Sequence, residues 1–216
     1  AKHLRAPKVK VYVVGGFVRD ALLGRETADI DLAVTGDALE IAAGLAKSLK
    51  GTFVLLDSEN KVGRVVLAAR KPDASQSTID VSTIKDTLED DLARRDFTID
   101  AMALDFKEIA AGKTSANLID PYGGFDDLDH SIVRCIREEN LSADPVRLMR
   151  AVRLAVDLGF HIETKTKGQI RHSAALLVKV PGERVREEFI RLFNASRGGQ
   201  FLFDLDDLGL LTVLIP

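Results

Sequence analysis

The sequence has 216 residues, enough for one or two domains with a sizeable core. Apolar residues make up 46% and charged residues 29%, the balance of an ordinary globular protein, and the net charge of −3 excludes binding of nucleic acid through overall charge alone. The single cysteine, Cys135, excludes an internal disulfide and a cysteine-based zinc site.

Two observations bear on where the protein acts. The sequence contains no apolar run near the ~20 residues that a membrane span needs and no signal-peptide pattern, so we expect no membrane association and a cytoplasmic location. The last residues, 208–216, are apolar up to the end, whereas most natural termini are polar. This ending predicts a piece of a longer protein.

The first half of the sequence alternates strand patterns with short helical patterns. Apolar runs bounded by turn residues, and runs in which every second residue is apolar, predict strands. Asp37 at the start and Gly51 at the end delimit a predicted helix. The predicted strands are 11–14, 29–34, 52–56, 62–69, 78–82, 101–106 and 132–136, and the helices in this half are 17–23, 38–50 and 88–92.

Helical patterns take over after about residue 140. Asp144-Pro145 predicts a helix start, with Asp at the cap and Pro at the first helical position, and Gly159 predicts the end of that helix. Further helices are predicted over 181–193 and 200–208. The predicted fold class is therefore α+β, with a mixed-sheet domain at 1–138 and an all-helical domain at 139–216.

The first candidate site is a pair of aspartates on a strand. Residues i and i+2 of a strand point to the same side, so Asp29 and Asp31 present two carboxylates on one face. Two carboxylates this close repel unless a cation lies between them, and magnesium prefers such oxygen ligands. The pattern predicts catalytic metal ligands, and the alternative is a solvated strand edge with two surface acids.

Three neighbouring features extend this site. Asp80, on another predicted strand, is a third catalytic candidate, and its alternative is an exposed strand acid. Gly15 and Gly16 allow backbone N–H groups to approach a polyphosphate without a side chain in the way. Arg19, just after them, could contact phosphate or brace the aspartates.

Two further groups of residues are suited to a nucleotide. Arg95 offers a planar fork for phosphate, and Asp96 beside it could accept a hydrogen bond from a ribose hydroxyl. Asp144 and Arg147 share a helix face, and together offer an acceptor and donors to the polar edge of a nucleobase. From the residues alone, a helix end with charges and a plain surface ion pair remain open as alternatives.

These motifs, in order, resemble those of the class II tRNA nucleotidyltransferases and the bacterial poly(A) polymerases. Residues 15–25 with 29–31 are similar to the first motif and 94–103 to the second. Residues 120–128 resemble the third, 144–153 the fourth and 181–193 the fifth. The resemblance covers nearly the whole sequence.

The resemblance implies a head domain of the DNA polymerase beta superfamily followed by a helical neck. It implies transfer of CMP or AMP from CTP or ATP to an RNA 3′ hydroxyl, that of tRNA above all, with two Mg²⁺ ions held by Asp29 and Asp31. It also implies that Arg95 and Asp96 contact ribose and triphosphate, while Asp144 and Arg147 hydrogen-bond the incoming base. Arg150 and Arg153 in the fourth motif join this predicted nucleotide-binding set.

Three positions depart from the family pattern. Ala143 stands where a glutamate usually precedes the templating aspartate, and Asp100 stands where the second motif usually has asparagine. Only thirteen residues separate Asp80 from Arg94, a short stretch that suits a CC-adding enzyme. We therefore expect base selection in this chain to be either looser or supported by other residues.

Alternative functions stay open at this point. A poly(A) polymerase would add AMP to other RNA 3′ ends with the same chemistry. A nucleotidyltransferase acting on a small molecule or a protein hydroxyl would share Asp29 and Asp31, but the motifs after residue 90 disfavour it. A non-catalytic nucleotide- or RNA-binding module is disfavoured by the retention of all three candidate catalytic aspartates.

Overall fold

The computed structural model describes residues 9–68, 77–112, 117–195 and 199–215. Within them the chain forms two compact units. The first unit contains the residues up to Leu92 together with Asp100–Pro121, and the second contains Ala93–Ile99 together with the residues from Tyr122 onward. Packing thus places 93–99 and 122–138 with the helical part of the chain, and the domain boundary at 138/139 stays a prediction.

The first unit is built on a mixed sheet. In the described residues its strands are β1 Val11–Val14, β2 Asp29–Val34, β3 Thr52–Asp57, β4 Val62–Leu67, β5 Ser77–Thr83, β6 Ala103–Asp105 and β7 Leu118–Ile119. They lie in the order β3-β4-β5-β2-β1-β6-β7. The β2–β5 pair is parallel and the other neighbours are antiparallel. The α+β fold class is confirmed.

The helices described in this part of the chain are α1 Gly16–Leu22, α2 Ala38–Leu49, α3 Leu88–Ala93 and α4 Phe106–Ala110. The cap predicted at Asp37 is confirmed, because its carboxylate accepts from the N–H groups of Leu39 and Glu40 at 3.0 and 3.2 Å. After α2, a Cβ at Gly51 would lie 2.7 Å from the carbonyl oxygen of Val66, so only glycine lets the chain turn into β3 there.

The second unit is mainly helical. Its helices are α5 Gly124–Asp129, α6 Glu138–Ala143, α7 Val146–Leu158, α8 Thr164–Ser173, α9 Gly182–Ala195, α10 Phe201–Asp207 and α11 Leu211–Leu214. Two short strands, β8 Ile132–Val133 and β9 His161–Ile162, pair in parallel. Phe201 is buried in its core, and its ring packs edge to face against the rings of Phe189 and Phe193. In the described part of the chain, no helix is both long enough and apolar enough to cross a membrane.

Some predicted elements differ from the observed ones. The predicted strand 101–106 is shorter, because the Asp105 carboxylate accepts from the N–H of Lys107 at 2.7 Å and starts α4. The strand predicted at 62–69 ends at Leu67, and Ala69 lies outside the described residues. The strand predicted at 132–136 shortens to β8, and the residues after it pair with the Asp96 segment instead.

Candidate active site

The sheet brings the three candidate aspartates together. Asp29 and Asp31 lie two residues apart on β2, so their side chains share a face. The parallel register of β2 and β5 pairs Asp31 with Asp80 and Asp29 with Thr78, whose hydroxyl donates to Asp29 Oδ1 at 2.8 Å. We call Asp29, Asp31 and Asp80 the carboxylate cluster.

Arg64 on β4 is a cation beside this cluster that the sequence did not single out. It pairs with Asp80 in the antiparallel register, and its Nε and Nη2 donate to Asp80 Oδ1 and Oδ2 at 2.7 and 2.8 Å. That hydrogen bonding raises the pKa of Arg64, and the charges of Asp80, Asp29 and Asp31 raise it further. Its only sequence signal is a charged residue inside an apolar strand.

The donor chemistry of the cluster fits a hard divalent cation at the Asp29–Asp31 pair. Carboxylate oxygens on one strand face are the ligands that magnesium prefers. Asp80 has both oxygens in the fork of Arg64, and no group of three or more potential metal ligands converges in the described residues. Their shared strand face suits Asp29 and Asp31 to a metal, and Asp80 would have to leave the fork of Arg64 to join them.

The double glycine and Arg19 form a tight corner beside β1. Gly15 has φ 74° and ψ −146°, a conformation open to glycine, and its N–H donates to the carbonyl of Met102 at 3.3 Å. Arg19 is buried, with Nε 2.9 Å from Asp20 Oδ1 and Nη1 2.5 Å from Asp100 Oδ1. A Cβ at Gly16 would lie 3.2 Å from Arg19 Nη2.

These contacts give Arg19 a bracing role within the first unit. They also account for Asp100, because a buried acid there matches the charge of Arg19 where asparagine would not. The roles of Gly15, Gly16 and Arg19 toward a nucleotide remain predictions.

In the second unit, a short backbone ladder holds the segment around Asp96. Thr98 N–H donates to Arg134 O at 3.0 Å, and Ile136 N–H donates to Asp96 O at 3.1 Å. The buried Asp96 carboxylate accepts from the N–H of Phe97 at 3.0 Å, and its Oδ2 lies 2.9 Å from Nε of Arg150. Arg150, from the predicted nucleotide-binding set, thus lies against Asp96.

The ladder is supported by a partly buried polar network that includes Asp127 of the third motif. Asp127 on α5 accepts from the hydroxyl of Thr98 at 2.6 Å. It also accepts from Arg134 Nε and Nη2 at about 3 Å, and Arg134 reaches Glu163 on the other side. Charge-assisted bonds of this kind hold neighbouring elements firmly, so the third motif positions the second.

Asp144 and Arg147 line a polar pocket of about 310 Å³ in the second unit. The prediction that Asp144 caps a helix is wrong: α7 makes no side-chain cap bond, and both Asp144 oxygens accept from Arg184 instead. Arg147 Nη1 donates to Arg94 O and Asn140 O at 3.0 and 3.1 Å. The lining residues are Arg95, Asp96, Asp144, Val146, Arg147, Arg150, Arg184, Glu187 and Glu188.

The lining contains five of the predicted nucleotide-binding residues: Arg95, Asp96, Asp144, Arg147 and Arg150. Arg153 is not among the lining residues. Its Nε lies 2.5 Å from Glu188 Oε2, and the two side chains are only 14% and 12% exposed. This contact joins α7 to α9, so Arg153 supports the wall of the pocket, and its direct role toward a nucleotide remains a prediction.

Sequence reasoning missed Arg184, Glu187 and Glu188 in this pocket. They lie on the first two turns of α9, about 40 residues from Asp144, and only helix packing brings them to it. The sequence offered two signals: the resemblance of 181–193 to the fifth motif, and the departure at Ala143 beside Asp144.

Comparison with known proteins identifies two matching family models. The family model described as the Poly A polymerase head domain matches residues 11–134, and the one described as a probable RNA and SrmB-binding site of polymerase A matches 159–216. A CC-adding tRNA nucleotidyltransferase of Synechocystis sp. is 39% identical over 88% of this chain and 43% of its own length. An A-adding tRNA nucleotidyltransferase of Deinococcus radiodurans is 36% identical over 94% and 44%.

Solved structures of tRNA nucleotidyltransferases also resemble this chain. The Thermotoga maritima CCA-adding enzyme complexed with tRNA matches with a TM-score of 0.84 and 31% identity, over 100% of this chain and 50% of that one. The chain thus spans about half the length of the relatives it matches, and its first unit has the head-domain fold of the DNA polymerase beta superfamily. With more than half of its residues matched by the head-domain model, the chain belongs to the poly(A) polymerase head domain family, which includes the CC-, A- and CCA-adding tRNA nucleotidyltransferases.

Proposed function

We propose that this chain is the head and neck portion of a template-independent RNA nucleotidyltransferase. It transfers CMP, AMP or both from CTP and ATP to the 3′ hydroxyl of tRNA and releases pyrophosphate. The observation that carries the proposal is the carboxylate cluster, in which Asp29 and Asp31 share a strand face and Asp80 lies in register with Asp31. Relatives named as CC-, A- and CCA-adding enzymes support the choice of tRNA as acceptor.

Asp29 and Asp31 are the proposed metal ligands of the transfer. Two Mg²⁺ ions, when bound, polarise the attacking hydroxyl and stabilise the leaving oxygen. The contribution of the two aspartates is to hold carboxylate oxygens on one rigid strand, which fixes the geometry in advance. Asp80 completes the negative cluster, and Arg64 holds its carboxylate in a fixed plane.

The polar pocket is the proposed site of the nucleobase. The Asp144 carboxylate accepts from an exocyclic amino group, which cytosine and adenine share and which uracil lacks. Arg147 donates to the adjacent ring nitrogen, and the two backbone carbonyls on its Nη1 fix its plane. Arg95, Asp96 and Arg150 serve the sugar and the triphosphate. This division makes the protein itself the template.

CC addition is the product we place first. Two relatives named as CC-adding enzymes match at 39% and 35% identity, and the stretch between Asp80 and Arg94 is short. The alternative product is a poly(A) tail on other RNAs, which the name of the matching family model favours. The nucleotide used on each acceptor separates the two.

The test is an extension assay with the full-length protein. Labelled CTP or ATP is supplied with Mg²⁺ and with tRNAs ending before C74, after C74 and after C75, and an unrelated RNA serves as the poly(A) acceptor. Extension by CMP alone supports CC addition, and long AMP tails on the unrelated RNA would replace it with polyadenylation. Failure to extend any RNA with either nucleotide would refute the proposal.

Matched variants test the metal role. Asp29→Asn and Asp31→Asn keep the side-chain shape but remove the charge, so each should abolish transfer while the protein still folds. Glu59→Gln, on the exposed turn after β3, removes one acidic charge elsewhere on the same unit and should leave transfer unchanged. Substantial transfer by either aspartate variant would show that another group holds the metal.

A further inference from the structure

Arg184 holds the carboxylate of Asp144 in a two-pronged contact. Nη1 donates to Oδ1 and Nη2 to Oδ2, each at 2.9 Å. Such a fork fixes both the position and the plane of a carboxylate, which a single ammonium does not. Asp144 has little other support, since its side chain makes no helix cap and the residue before it is Ala143.

The fork of Arg184 is committed to Asp144 and to no other acid nearby. Glu187 and Glu188 on the same helix act on Arg184 through charge alone, and Glu188 is bound to Arg153. The hydrogen bond to Asp144 is also the main reason that the pKa of Arg184 is raised. Arg184 therefore stays charged at any pH near neutrality.

Without Arg184, Asp144 has an unproductive partner within reach. Arg147 is three residues away on the same helix face, and its Nε lies 3.9 Å from Asp144 Oδ2. If the two closed on each other, the acceptor and the donor meant for a base would satisfy each other. In the structure each is anchored separately, Asp144 by Arg184 and Arg147 by backbone carbonyls.

The fork leaves Asp144 able to accept from a ligand. An ionised carboxylate has about four lone-pair sites, and Arg184 uses one on each oxygen, so the rest can accept from an amino group. An ionised acceptor in a fixed plane favours bases with an amino group over bases with a carbonyl at that position.

We infer that Arg184 is a specificity-determining positioning residue, which keeps Asp144 apart from Arg147 so that the pocket accepts CTP and ATP and rejects UTP and GTP. This inference rests on the proposed function, because it assigns a support to the proposed base-reading pair. It differs from it in naming a residue outside the predicted site. It also predicts that discrimination between CTP and UTP falls when Arg184 is replaced.

The experiment measures nucleotide discrimination in three proteins. The unchanged full-length protein, Arg184→Met and the control Arg186→Met are titrated with CTP, UTP, ATP and GTP in the presence of Mg²⁺ by calorimetry. Steady-state KM and kcat are measured with CTP and UTP in parallel. Arg186 is an exposed arginine two positions further along α9, and it does not line the polar pocket, so it controls for charge and helix content.

A site built to hydrogen-bond one group rejects analogues without it by up to ~10⁴-fold, so loss of the orienting partner should lower the CTP-to-UTP affinity ratio by at least about tenfold. The change should appear in KM for both nucleotides, with kcat for CTP affected much less. Arg184→Lys keeps the positive charge but loses the two-pronged contact. Its CTP-to-UTP affinity ratio should therefore lie between those of the unchanged protein and Arg184→Met. A structural role alone would lower stability without moving this ratio.

The possible outcomes distinguish failure of the inference about Arg184 from failure of the proposed function. If the unchanged protein discriminates and Arg184→Met discriminates equally well, the inference is refuted while the proposed function stands. If the unchanged protein binds no nucleotide, the proposed function fails and the inference fails with it. If Arg184→Met does not fold, Arg184→Lys decides, and unchanged discrimination in that variant refutes the inference.

Discussion

Replacing Arg19 by methionine should destabilise the first unit strongly. The guanidinium of Arg19 lies 2.5 Å from Asp100, and the two side chains are only 9% and 2% exposed. Methionine is of similar length, so the main change is the loss of the positive charge that Arg19 places beside the carboxylates of Asp100 and Asp20. Removing one partner of a buried ion pair costs about 3–5 kcal/mol, because the remaining charge stays out of water.

A loss of stability of this size can be measured as a shift of the melting temperature. For a chain of this size 1 kcal/mol moves the melting temperature by about 2–4 °C, so a drop of roughly 6–20 °C is expected. Urea unfolding followed by far-UV circular dichroism gives the free energy of unfolding at one temperature. Exchange of the Gly15 amide, which is bonded to Met102 O, reports opening of the first unit itself.

The double variant Arg19→Met/Asp100→Leu separates a broken pair from a lost contact. Replacing both charges by apolar groups of similar volume is often neutral, so the double variant should be more stable than Arg19→Met alone. Asp100→Asn, which restores the usual family residue, should cost less than Arg19→Met. If Arg19→Met loses under about 1 kcal/mol, or the double variant is the less stable of the two, this account of the buried pair is incorrect.

Three further predictions concern other parts of the chain. Burial raises the pKa of the Cys135 thiol to about 12, so it should react very slowly with a disulfide reagent at pH 8, and fast labelling of folded protein would contradict this. Because the folded pKa is raised, the stabilisation from keeping this thiol neutral is complete below the unfolded pKa of ~8.5 and is lost as pH rises toward the folded value. Gly51→Ala should cost about 1–3 kcal/mol in urea unfolding, since its Cβ would meet Val66 O at 2.7 Å, whereas Gly168→Ala, with open space around it, should cost nothing. Arg64→Met should tighten Mg²⁺ binding in calorimetry, because three carboxylates then lack their neighbouring cation, and unchanged or weaker binding would show that Arg64 does not compete with the metal.

Local patterns in the sequence were enough for the position of Asp29 and Asp31. Alternation along β2 predicts their common face, and the strand predicted around Asp80 is β5, whose register pairs Asp80 with Asp31. The cap at Asp37 and the end of α7 at Gly159 were equally local. Each depends on residues within one turn or one strand.

The missed residues depend on packing between distant segments. Arg64 meets Asp80 only because β4 and β5 pair in one register, and Arg184 meets Asp144 only because α9 packs on α7. Either arginine could satisfy its charge in water, so the sequence alone gives no reason to choose a partner. Asp144 shows the same limit. The sequence predicts that it caps a helix, but its carboxylate accepts from Arg184, 40 positions further along the chain.

The parallel pairing of β2 with β5 has a consequence for synthesis of the protein. Asp31 and Asp80 are 49 residues apart, and β5 enters the sheet between β2 and β4, both of which precede it in the chain. A nascent chain that has emerged only as far as β4 carries Asp29 and Asp31 but neither the third acid nor the strand that aligns it. Contacts of such long sequence separation form late, because the loop entropy must be lost first. The three carboxylates therefore come together only after β5 has been synthesised and has paired between β2 and β4.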